Sequence, residues 1–340
     1  MSENVLQIPK GTPVLITGAT GFTGTVLTRK LVEAGAKVSA VARSSSNREP
    51  FRGLDVRWFL GEVFDEGVLT AAAAGQEYVF HLAAAFRQPG SSYQDYWNVH
   101  VGATQILARE TKKNIDFKRF IHFSTIGVHG HIAVPPANED APFAPDDEYQ
   151  RTKLEAEVWL EAHADEYNLP YTIIRPAAIY GPGDRRLLKL FRMALRPVFP
   201  LLGRGKCMYH LVHVDDLTNV TLIAATHPDA LGQVFIAGAD EPIAVADIAK
   251  IVARHFGKTL RIVRLPIGPF FLAADICERI CRPLGIDPPL YRRRVAFYSK
   301  DRHFDVSKIK SVLGYTPRHA NRDGILETAT WYAEQGWLKA

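Results

Sequence analysis

The fold is decided by the stretch Thr17-Gly18-Ala19-Thr20-Gly21-Phe22-Thr23-Gly24 near the start of the chain. An apolar run at 14–16 precedes it, and apolar residues at helical spacing follow it as far as position 32. A strand, a glycine-rich turn and an amphipathic helix in this order are typical of a dinucleotide-binding site. Gly35 ends the predicted helix, since glycine is favoured just after a helix C-terminus.

The three glycines of this turn have separate physical tasks. Gly18 allows the tight turn after the strand, Gly21 lets the backbone approach a pyrophosphate, and Gly24 permits close packing of helix on strand. Free N–H groups and the positive end of the helix dipole favour phosphate at the same place. We therefore predict cofactor binding by Gly18, Thr20, Gly21, Phe22, Thr23 and Gly24.

Further strands and helices alternate along the chain. Predicted strands lie at 37–42, 56–60, 78–82, 120–123 and 171–174, with a late one at 233–237. Helical stretches between most of them lie at 65–74, 93–114 and 149–168. This repetition of strand and helix predicts an α/β fold, a doubly wound parallel sheet covered by helices on both faces.

The alternation breaks after Arg175, where prolines and glycines become frequent. We predict a dinucleotide-binding domain that contains residues 1–176 plus about 211–237. A smaller, discontinuous substrate domain would contain about 177–210 plus 238–340. The boundary between the two would be crossed more than once.

Composition excludes several classes of protein. The 340 residues are 47% hydrophobic and 23% charged, as in an ordinary globular protein. The net charge of +5 forms no long block, and no zinc-finger or RNA-binding signature occurs, so we expect no nucleic acid partner. Three cysteines without ligand spacing predict neither disulfides nor a metal site. Without an apolar stretch of signal-peptide or membrane-span length, we expect a cytoplasmic protein.

The end of the second predicted strand favours NADP(H) over NAD(H). An acidic residue here would bind the ribose 2′-hydroxyl of NAD, but the sequence has Arg43 and Ser44. A guanidinium binds a 2′-phosphate through parallel hydrogen bonds. The alternative is that Arg43 stacks on adenine and discriminates little between the two dinucleotides.

Tyr149 and Lys153 stand four residues apart in the predicted helix at 149–168, which places a phenol and an ammonium on one helix face. A free phenol titrates near pH ~10, and a neighbouring cation favours the phenolate. Such a pair beside a nicotinamide can move a proton and a hydride together. The alternative is a solvated helix edge without a catalytic task.

Several further motifs follow in a recognisable order. They are His81-Leu82-Ala83-Ala84, Asn98-Val99-His100-Val101-Gly102-Ala103-Thr104, Phe123-Ser124-Thr125, Arg175-Pro176, Tyr180-Gly181-Pro182-Gly183 and His213-Val214-Asp215-Asp216. With the glycine turn and the Tyr149–Lys153 pair, they resemble the extended short-chain dehydrogenase/reductases (the NAD(P)-dependent epimerase/dehydratase family), and among these the 3β-hydroxysteroid dehydrogenase-like members. The resemblance runs the length of the chain. It implies a Rossmann fold and an NAD(P)-dependent oxidoreductase, and it leaves the substrate open.

The resemblance also implies roles for individual residues. Tyr149 would exchange the proton with the substrate oxygen, and Lys153 would lower the phenol pKa and hold the nicotinamide ribose. Thr125, five residues before Gly130, would hydrogen-bond the reacting oxygen, with Ser124 as its substitute. The residues that the resemblance places along the cofactor are Glu62, Val63, Leu82, Ala83, Ala84, Asn98, Pro176 and Ile179.

Three more expectations come from the resemblance. Asn98 would support the helix beside the active site. Relatives dimerise through this helix and the one that carries Tyr149, so a homodimer is expected. Glu62 stands where relatives often have Asp for the adenine amino group, and His129 is a candidate substrate contact where relatives often have tyrosine.

Two enzyme functions stay open. Nucleotide-sugar enzymes of the family contact the substrate diphosphate through an Asn and an Arg, and the matching positions here are Ala178 and Tyr209. The loss of both donors speaks against a diphosphate. Nearby cations that would compensate for it are Arg185, Arg186, Arg204 and Lys206.

The apolar segment 269–277 and the basic run 292–294 suit an amphipathic carboxylate, with a core helix as the alternative. The same segment is a candidate for membrane-surface contact. We therefore expect NADP(H)-dependent interconversion of an alcohol and a ketone on a 3-hydroxysteroid, sterol carboxylate or β-hydroxy acid. The alternative is a nucleotide-sugar epimerase/dehydratase with tightly held NAD. A non-catalytic nucleotide-sensing module comes last.

Overall fold

The computed structural model describes residues 8–85, 92–205, 207–284, 286, 288–290, 292–296 and 301–339. Its strands are β1 (Pro13–Thr17), β2 (Lys37–Ala42), β3 (Val56–Leu60), β4 (Tyr78–His81), β5 (Arg119–Phe123), β6 (Tyr171–Pro176), β7 (Ala178–Tyr180), β8 (Val198–Leu202), β9 (Met208–Tyr209), β10 (Leu211–His213), β11 (Gln233–Ala237), β12 (Ile243–Ala244) and β13 (Arg261–Leu265). Seven of them form one parallel sheet in the order β11-β6-β5-β4-β1-β2-β3. The remaining strands pair in twos, β7 with β10, β8 with β13 and β9 with β12.

Helices flank the sheet and continue into the later part of the chain. They are α1 (Phe22–Glu33), α2 (Glu66–Ala73), α3 (Tyr93–Trp97), α4 (Ala103–Thr111), α5 (Glu148–Tyr167), α6 (Leu188–Ala194), α7 (Val214–Thr226), α8 (Val245–His255), α9 (Gly268–Cys281), α10 (Arg292–Ala296), α11 (Ser307–Leu313) and α12 (Asn321–Glu334). Short 3₁₀ turns occupy Glu49–Phe51, Ile126–His129, Pro228–Ala230 and Arg282–Leu284. None of the described helices is both long and apolar enough to cross a membrane.

The helix expected at 93–114 has an unpredicted feature. A π-helical turn, Asn98–Gly102, joins α3 to α4 and inserts one extra residue into the helix. The insertion changes which side chains face inward for the rest of that turn. Such turns occur frequently at functional sites.

The strand order predicts where a ligand binds. The chain starts the sheet at β1, builds outward through β2 and β3, and then returns to place β4 on the other side of β1. In open parallel sheets, ligands bind beyond the carboxyl ends of the strands at this reversal. The glycine turn follows β1 directly, so it lies at that crevice, and the predicted doubly wound α/β fold is confirmed.

Close backbone approach explains two glycines of the turn. Gly18 has φ +77°, and a Cβ on it would stand 2.8 Å from the Ala83 nitrogen. A Cβ on Gly24 would stand 2.1 Å from the Gly18 carbonyl oxygen. A side chain at either position would therefore push α1 or the loop after β4 away from the turn.

Hydrophobic clusters fill both faces of the sheet. Alternate residues of a strand point to opposite faces, so Val14 and Ile16 join one cluster while Leu15 joins the other. A third cluster is built from the later part of the chain and includes the fully buried rings of Phe191 and Tyr332. The domain boundaries given above stay a prediction.

Candidate active site

The glycine turn forms a backbone cradle at the carboxyl edge of the sheet. Gly21 is the N-cap of α1, and its N–H donates to the Gly18 carbonyl oxygen at 3.0 Å. The first helical N–H groups are left without intrahelical partners, and the first turn of α1 has no acidic residue. These features fit the pyrophosphate of a dinucleotide, because the exposed donors and the helix dipole both favour an anion.

The residues expected near the adenosine half lie at the ends of neighbouring strands. Arg43 and Ser44 follow β2 and are exposed, as is Glu62, which follows β3. A hydrogen bond of 3.0 Å from the Gly61 nitrogen to the Ala42 oxygen holds these two strand ends together. Val63 is half-buried and packs against a core cluster.

The loop after β4 runs beside the glycine turn. Leu82 donates its N–H to the Thr17 oxygen at 3.1 Å, and Ala83 donates to the Thr17 hydroxyl at 3.3 Å. Ala84 is exposed at the same edge. The loop therefore forms one wall of the crevice in which the cradle lies.

Two more predicted cofactor contacts lie in and after β6. Pro176 is buried as the last residue of β6, and Ile179 is half-buried in β7. The Ile179 carbonyl oxygen accepts a hydrogen bond from the Arg186 guanidinium at 2.7 Å. These residues lie on the β5–β6 side of the crevice, opposite Arg43 in the strand order.

Tyr149 lies in the first turn of α5. Asp147 caps this helix by accepting a hydrogen bond from the Gln150 nitrogen at 2.8 Å, which fixes where the helix begins. The Tyr149 ring is half-buried and packs edge-on against His100, with ring centroids 5.1 Å apart, and against Tyr96 at 6.2 Å. The phenol is thus held by an aromatic pocket between α5 and the π-helical turn.

Lys153 lies one turn later and is only 1% exposed. Its ammonium donates to the Phe123 oxygen at 2.7 Å and to the Ala83 oxygen at 3.4 Å. It therefore ties α5 to the end of β5 and to the loop after β4. The predicted pair has both members at the carboxyl edge of the sheet, beside the cradle.

The two hydroxyl candidates follow β5. Thr125 is half-buried, and its hydroxyl oxygen accepts a hydrogen bond from the Gly127 nitrogen at 3.0 Å. Ser124 is 4% exposed, and its hydroxyl has no hydrogen-bond partner among the described residues. Thr125 is the more accessible of the two to a substrate oxygen.

Burial controls the charge of Lys153. Desolvation lowers the pKa of the amine to about 7, and the Glu157 carboxylate, one turn further along α5, acts in the opposite direction. Burial and, to a smaller extent, nearby Lys153 lower the pKa of His81 to about 3. His122 shows the same direction of pKa shift for the same reasons. Both histidines are therefore neutral, whereas Lys153, with a pKa of about 7, is only partly protonated at neutral pH.

A buried ion pair continues from Lys153 into the core. Arg175 is 2% and Glu157 1% exposed, and their closest atoms are 2.6 Å apart. Arg175 also donates to the Glu139 oxygen at 2.8 Å and lies 3.1 Å from His129 Nε2. His129, 1% exposed, packs against Phe143, so the substrate contact expected for it is replaced by core contacts.

Asn98 and His100 both lie in the π-helical turn next to α5. Asn98 accepts a hydrogen bond from the Gln94 amide one turn earlier, at 2.7 Å. His100, fully buried, contacts the Tyr149 ring and makes hydrogen bonds to Ala85 and Thr152. Sequence reasoning missed His100 because only the π-helical turn shows which of these residues faces inward.

A second histidine cluster lies where α7 meets the C-terminal part of the chain. His213, Asp216 and His319 could offer ligand atoms to a metal, all within 4.8 Å. However, the Asp216 carboxylate already accepts hydrogen bonds from the Tyr315 hydroxyl, two backbone N–H groups and His319 Nδ1. The two imidazoles stack with centroids 3.9 Å apart, so they do not radiate from a common point. We interpret the cluster as an anchor for residues 315–319.

The cations considered for a diphosphate have other contacts. The Arg186 guanidinium is held by Asp184 at 3.1 Å, in addition to Ile179, and that of Arg185 lies 4.7 Å from the Trp337 ring centroid. Arg204 is exposed, and Lys206 lies outside the described residues. Tyr209, at the position of the family's arginine, is 3% exposed in the third hydrophobic cluster.

The apolar segment 269–277 forms most of α9 and is not an ordinary core helix. Only Ala274 of this helix is buried. Large side chains exposed at four-residue spacing along α9 and the following turn are Leu272 (63%), Ile276 (50%), Ile280 (58%) and Leu284 (66%). The helix therefore presents a continuous apolar stripe to solvent.

Comparison with known proteins identifies the family. The model of the NAD dependent epimerase/dehydratase family matches residues 14–238, which include the glycine turn, Tyr149 and Lys153. The chain belongs to this family. It is an NAD(P)-dependent oxidoreductase, and the expectations of an enzyme and of a nicotinamide dinucleotide as its cofactor are confirmed at this level.

Similar proteins carry different activities. The chain is 36% identical to sterol demethylase protein B of Methylococcus capsulatus, covering 95% of this chain and 99% of that protein. It is 28% identical to a 3β-hydroxysteroid dehydrogenase/Δ5→4-isomerase of Mycobacterium tuberculosis (94% and 90% covered) and 26% identical to a UDP-glucose 4-epimerase of Vibrio cholerae (95% and 95%). Among solved structures, gox2253 has a TM-score of 0.79 at 26% identity, over 97% of this chain and 100% of that one.

The buried amine gives a testable pH dependence of stability. The Lys153 pKa is about 7 in the folded protein and 10.5 in an unperturbed lysine, so between these values the unfolded state binds more protons and stability rises with pH. The variant Lys153→Met lacks the amine and therefore lacks this rise in stability with pH. We expect the free energy of unfolding of the wild type, relative to the variant, to increase by about 2 kcal/mol from pH 7 to pH 9.

Urea unfolding at the two pH values measures this difference. The matched control is Lys189→Met, which removes an exposed lysine from α6 and should keep the wild-type pH dependence. Equal pH dependence of wild type and Lys153→Met would contradict the assigned burial.

Proposed function

We propose that this enzyme interconverts an alcohol and a ketone on an apolar or amphipathic substrate, of the 3-hydroxysteroid, sterol carboxylate or β-hydroxy acid type, with NADP(H). The observation that carries the chemistry is the position of Lys153. Its buried ammonium joins Phe123 and Ala83 one turn from Tyr149, at the edge where the glycine cradle lies. The match to the Methylococcus sterol demethylase protein over nearly its whole length supports the substrate class.

Proton transfer would be the task of Tyr149. In the oxidative direction the phenolate takes the hydroxyl proton of the substrate, while bound NADP⁺ supplies the acceptor for the hydride. Lys153 favours the phenolate electrostatically, and Thr125 or Ser124 donates a hydrogen bond to the reacting oxygen. If the substrate is a β-hydroxy acid, the β-keto acid product can lose CO₂, because the ketone accepts the electron pair of the breaking bond.

The alternative is a nucleotide-sugar epimerase or dehydratase that holds NAD tightly. The similarity to the Vibrio epimerase supports it. Against it stand the burial of Tyr209 and the contacts that already occupy Arg185 and Arg186. A non-catalytic sensing module is disfavoured because both the half-buried Tyr149 and the buried Lys153 are present on one helix.

Removal of the Tyr149 hydroxyl tests the catalytic assignment. Tyr149→Phe keeps the ring contact with His100 and should lower kcat by about 10²–10⁴-fold, the usual contribution of acid–base catalysis, with little change in dinucleotide Kd. Turnover is measured spectrophotometrically at 340 nm on 3-hydroxysteroids and β-hydroxy acids. Tyr96→Phe, on the ring that packs against Tyr149, is the control and should retain activity. Retained kcat in Tyr149→Phe would refute the role.

The choice of NADP(H) depends on Arg43. We expect the wild type to bind NADPH more tightly than NADH, and Arg43→Ala to raise the Kd for NADPH about tenfold or more, because charge-assisted hydrogen bonds to the 2′-phosphate are lost. The Kd for NADH should stay nearly unchanged. Arg52→Ala, which removes an exposed arginine nine residues nearer to β3, is the control. Equal wild-type affinities for NADPH and NADH would contradict the prediction.

We further propose a cytoplasmic homodimer that contacts membrane surfaces through α9. The exposed faces of α3 and α5 include Tyr93 and Val158, 39% and 52% exposed, where a second copy would pack. Analytical ultracentrifugation should give the mass of a dimer.

In a separate experiment, the protein is mixed with anionic phospholipid vesicles, which are then pelleted by centrifugation. The wild-type protein should pellet together with the vesicles. Ile276→Glu should abolish pelleting and leave the dimer intact. A monomeric mass would contradict the homodimer. Wild-type protein that stays in the supernatant with vesicles present would contradict the membrane contact.

A further inference from the structure

His100 connects two parts of the active site that are distant in the chain. It is fully buried in the π-helical turn. Its Nε2 lies 3.2 Å from the Ala85 nitrogen, and its Nδ1 lies 2.8 Å from the Thr152 hydroxyl oxygen. Ala85 belongs to the loop after β4, and Thr152 to the catalytic helix α5.

The partners fix the protonation of the imidazole. A backbone N–H can only donate, so His100 Nε2 accepts from Ala85. The Thr152 hydroxyl donates its single proton to a backbone oxygen one turn earlier, that of Glu148 at 2.9 Å, so it accepts from His100 Nδ1. The ring is therefore the neutral Nδ1–H tautomer, and both of its nitrogens are used.

The same loop is tied to α5 a second time. Lys153 donates to the Ala83 oxygen, while Thr152 reaches Ala85 through His100. Two neighbouring residues of α5 thus hold two points of one short loop. The loop borders the glycine turn, since a Cβ on Gly18 would stand within 2.8 Å of the Ala83 nitrogen.

We propose that His100 is a positioning residue that holds the loop 83–85 in register with the Tyr149 helix. In the strand order, this loop lies between the glycine turn after β1 and the hydroxyl residues after β5, which is the nicotinamide side of the crevice. The proposal rests on the proposed function, because it concerns the dinucleotide of that reaction. Loss of the bridge releases the loop and weakens binding of the nicotinamide half, while the adenosine half, near Arg43, keeps its contacts.

Direct titration of the dinucleotide tests this without a known substrate. His100→Phe retains an aromatic ring against Tyr149 and loses both hydrogen bonds, while Thr152→Val keeps the imidazole and removes its acceptor. Each should raise the Kd for NADPH about tenfold, the effect of losing roughly one hydrogen bond with a buried partner. The Kd of the double variant for NADPH should not exceed that of the weaker-binding single variant, because the two substitutions break the same chain of hydrogen bonds.

Three controls separate positioning from general damage. Adenosine 2′,5′-bisphosphate, which lacks the nicotinamide half, should bind all variants within about twofold of the wild type, well below the effect of one lost hydrogen bond. Thr152→Ser keeps the hydroxyl and should bind NADPH normally. His100→Gln, whose amide can both accept and donate, should restore part of the affinity.

The outcomes are distinct. The proposal would be overturned if both single variants bound NADPH as tightly as the wild type, or if the losses of affinity added in the double variant. It would also be overturned if adenosine 2′,5′-bisphosphate lost as much affinity as NADPH. If His100→Phe does not fold, Thr152→Val decides the matter, since it leaves the ring in place. A wild type that binds neither NADPH nor NADH would instead refute the proposed function.

Discussion

The side chain of Lys153 lies beneath the carboxyl edge of the sheet and donates hydrogen bonds to Phe123 and Ala83. Burying this amine costs folding free energy, which its lowered pKa of about 7 reports. When the amine is protonated, its charge acts more strongly on a neighbouring phenol because water is excluded. This side chain ties the helix that carries Tyr149 to the end of β5 and to the loop after β4.

Much of the fold and part of the site could be read from the sequence. Gly18 and Gly24 stand where backbone contacts exclude a side chain, and a regular strand–helix alternation leaves few ways to order a parallel sheet. Tyr149 and Lys153 could be found because helical spacing alone brings them to one face. The glycine spacing, the strand–helix alternation and the four-residue spacing of Tyr149 and Lys153 are all visible as short patterns in the sequence.

The rest depends on contacts between distant segments. The role of His100 depends on an extra residue in a π-helical turn, which no periodicity reveals. His129 looked available for substrate, but Arg175 and two aromatic rings enclose it. Nor could the sequence show that α9 exposes Ile276 and its neighbours, because an apolar run reads alike whether it packs inside or faces solvent.

The nucleotide that the purified enzyme carries tests the central claim, a net hydride transfer with an exchangeable NADP(H). The protein is denatured, and the released nucleotide is identified and counted by chromatography against the protein concentration. The account predicts an empty site or a partial content of NADP(H) that added NADPH replaces within minutes. Stoichiometric, non-exchanging NAD⁺ or NADH would contradict it, because a retained cofactor belongs to an internal redox cycle in which the hydride returns to the substrate.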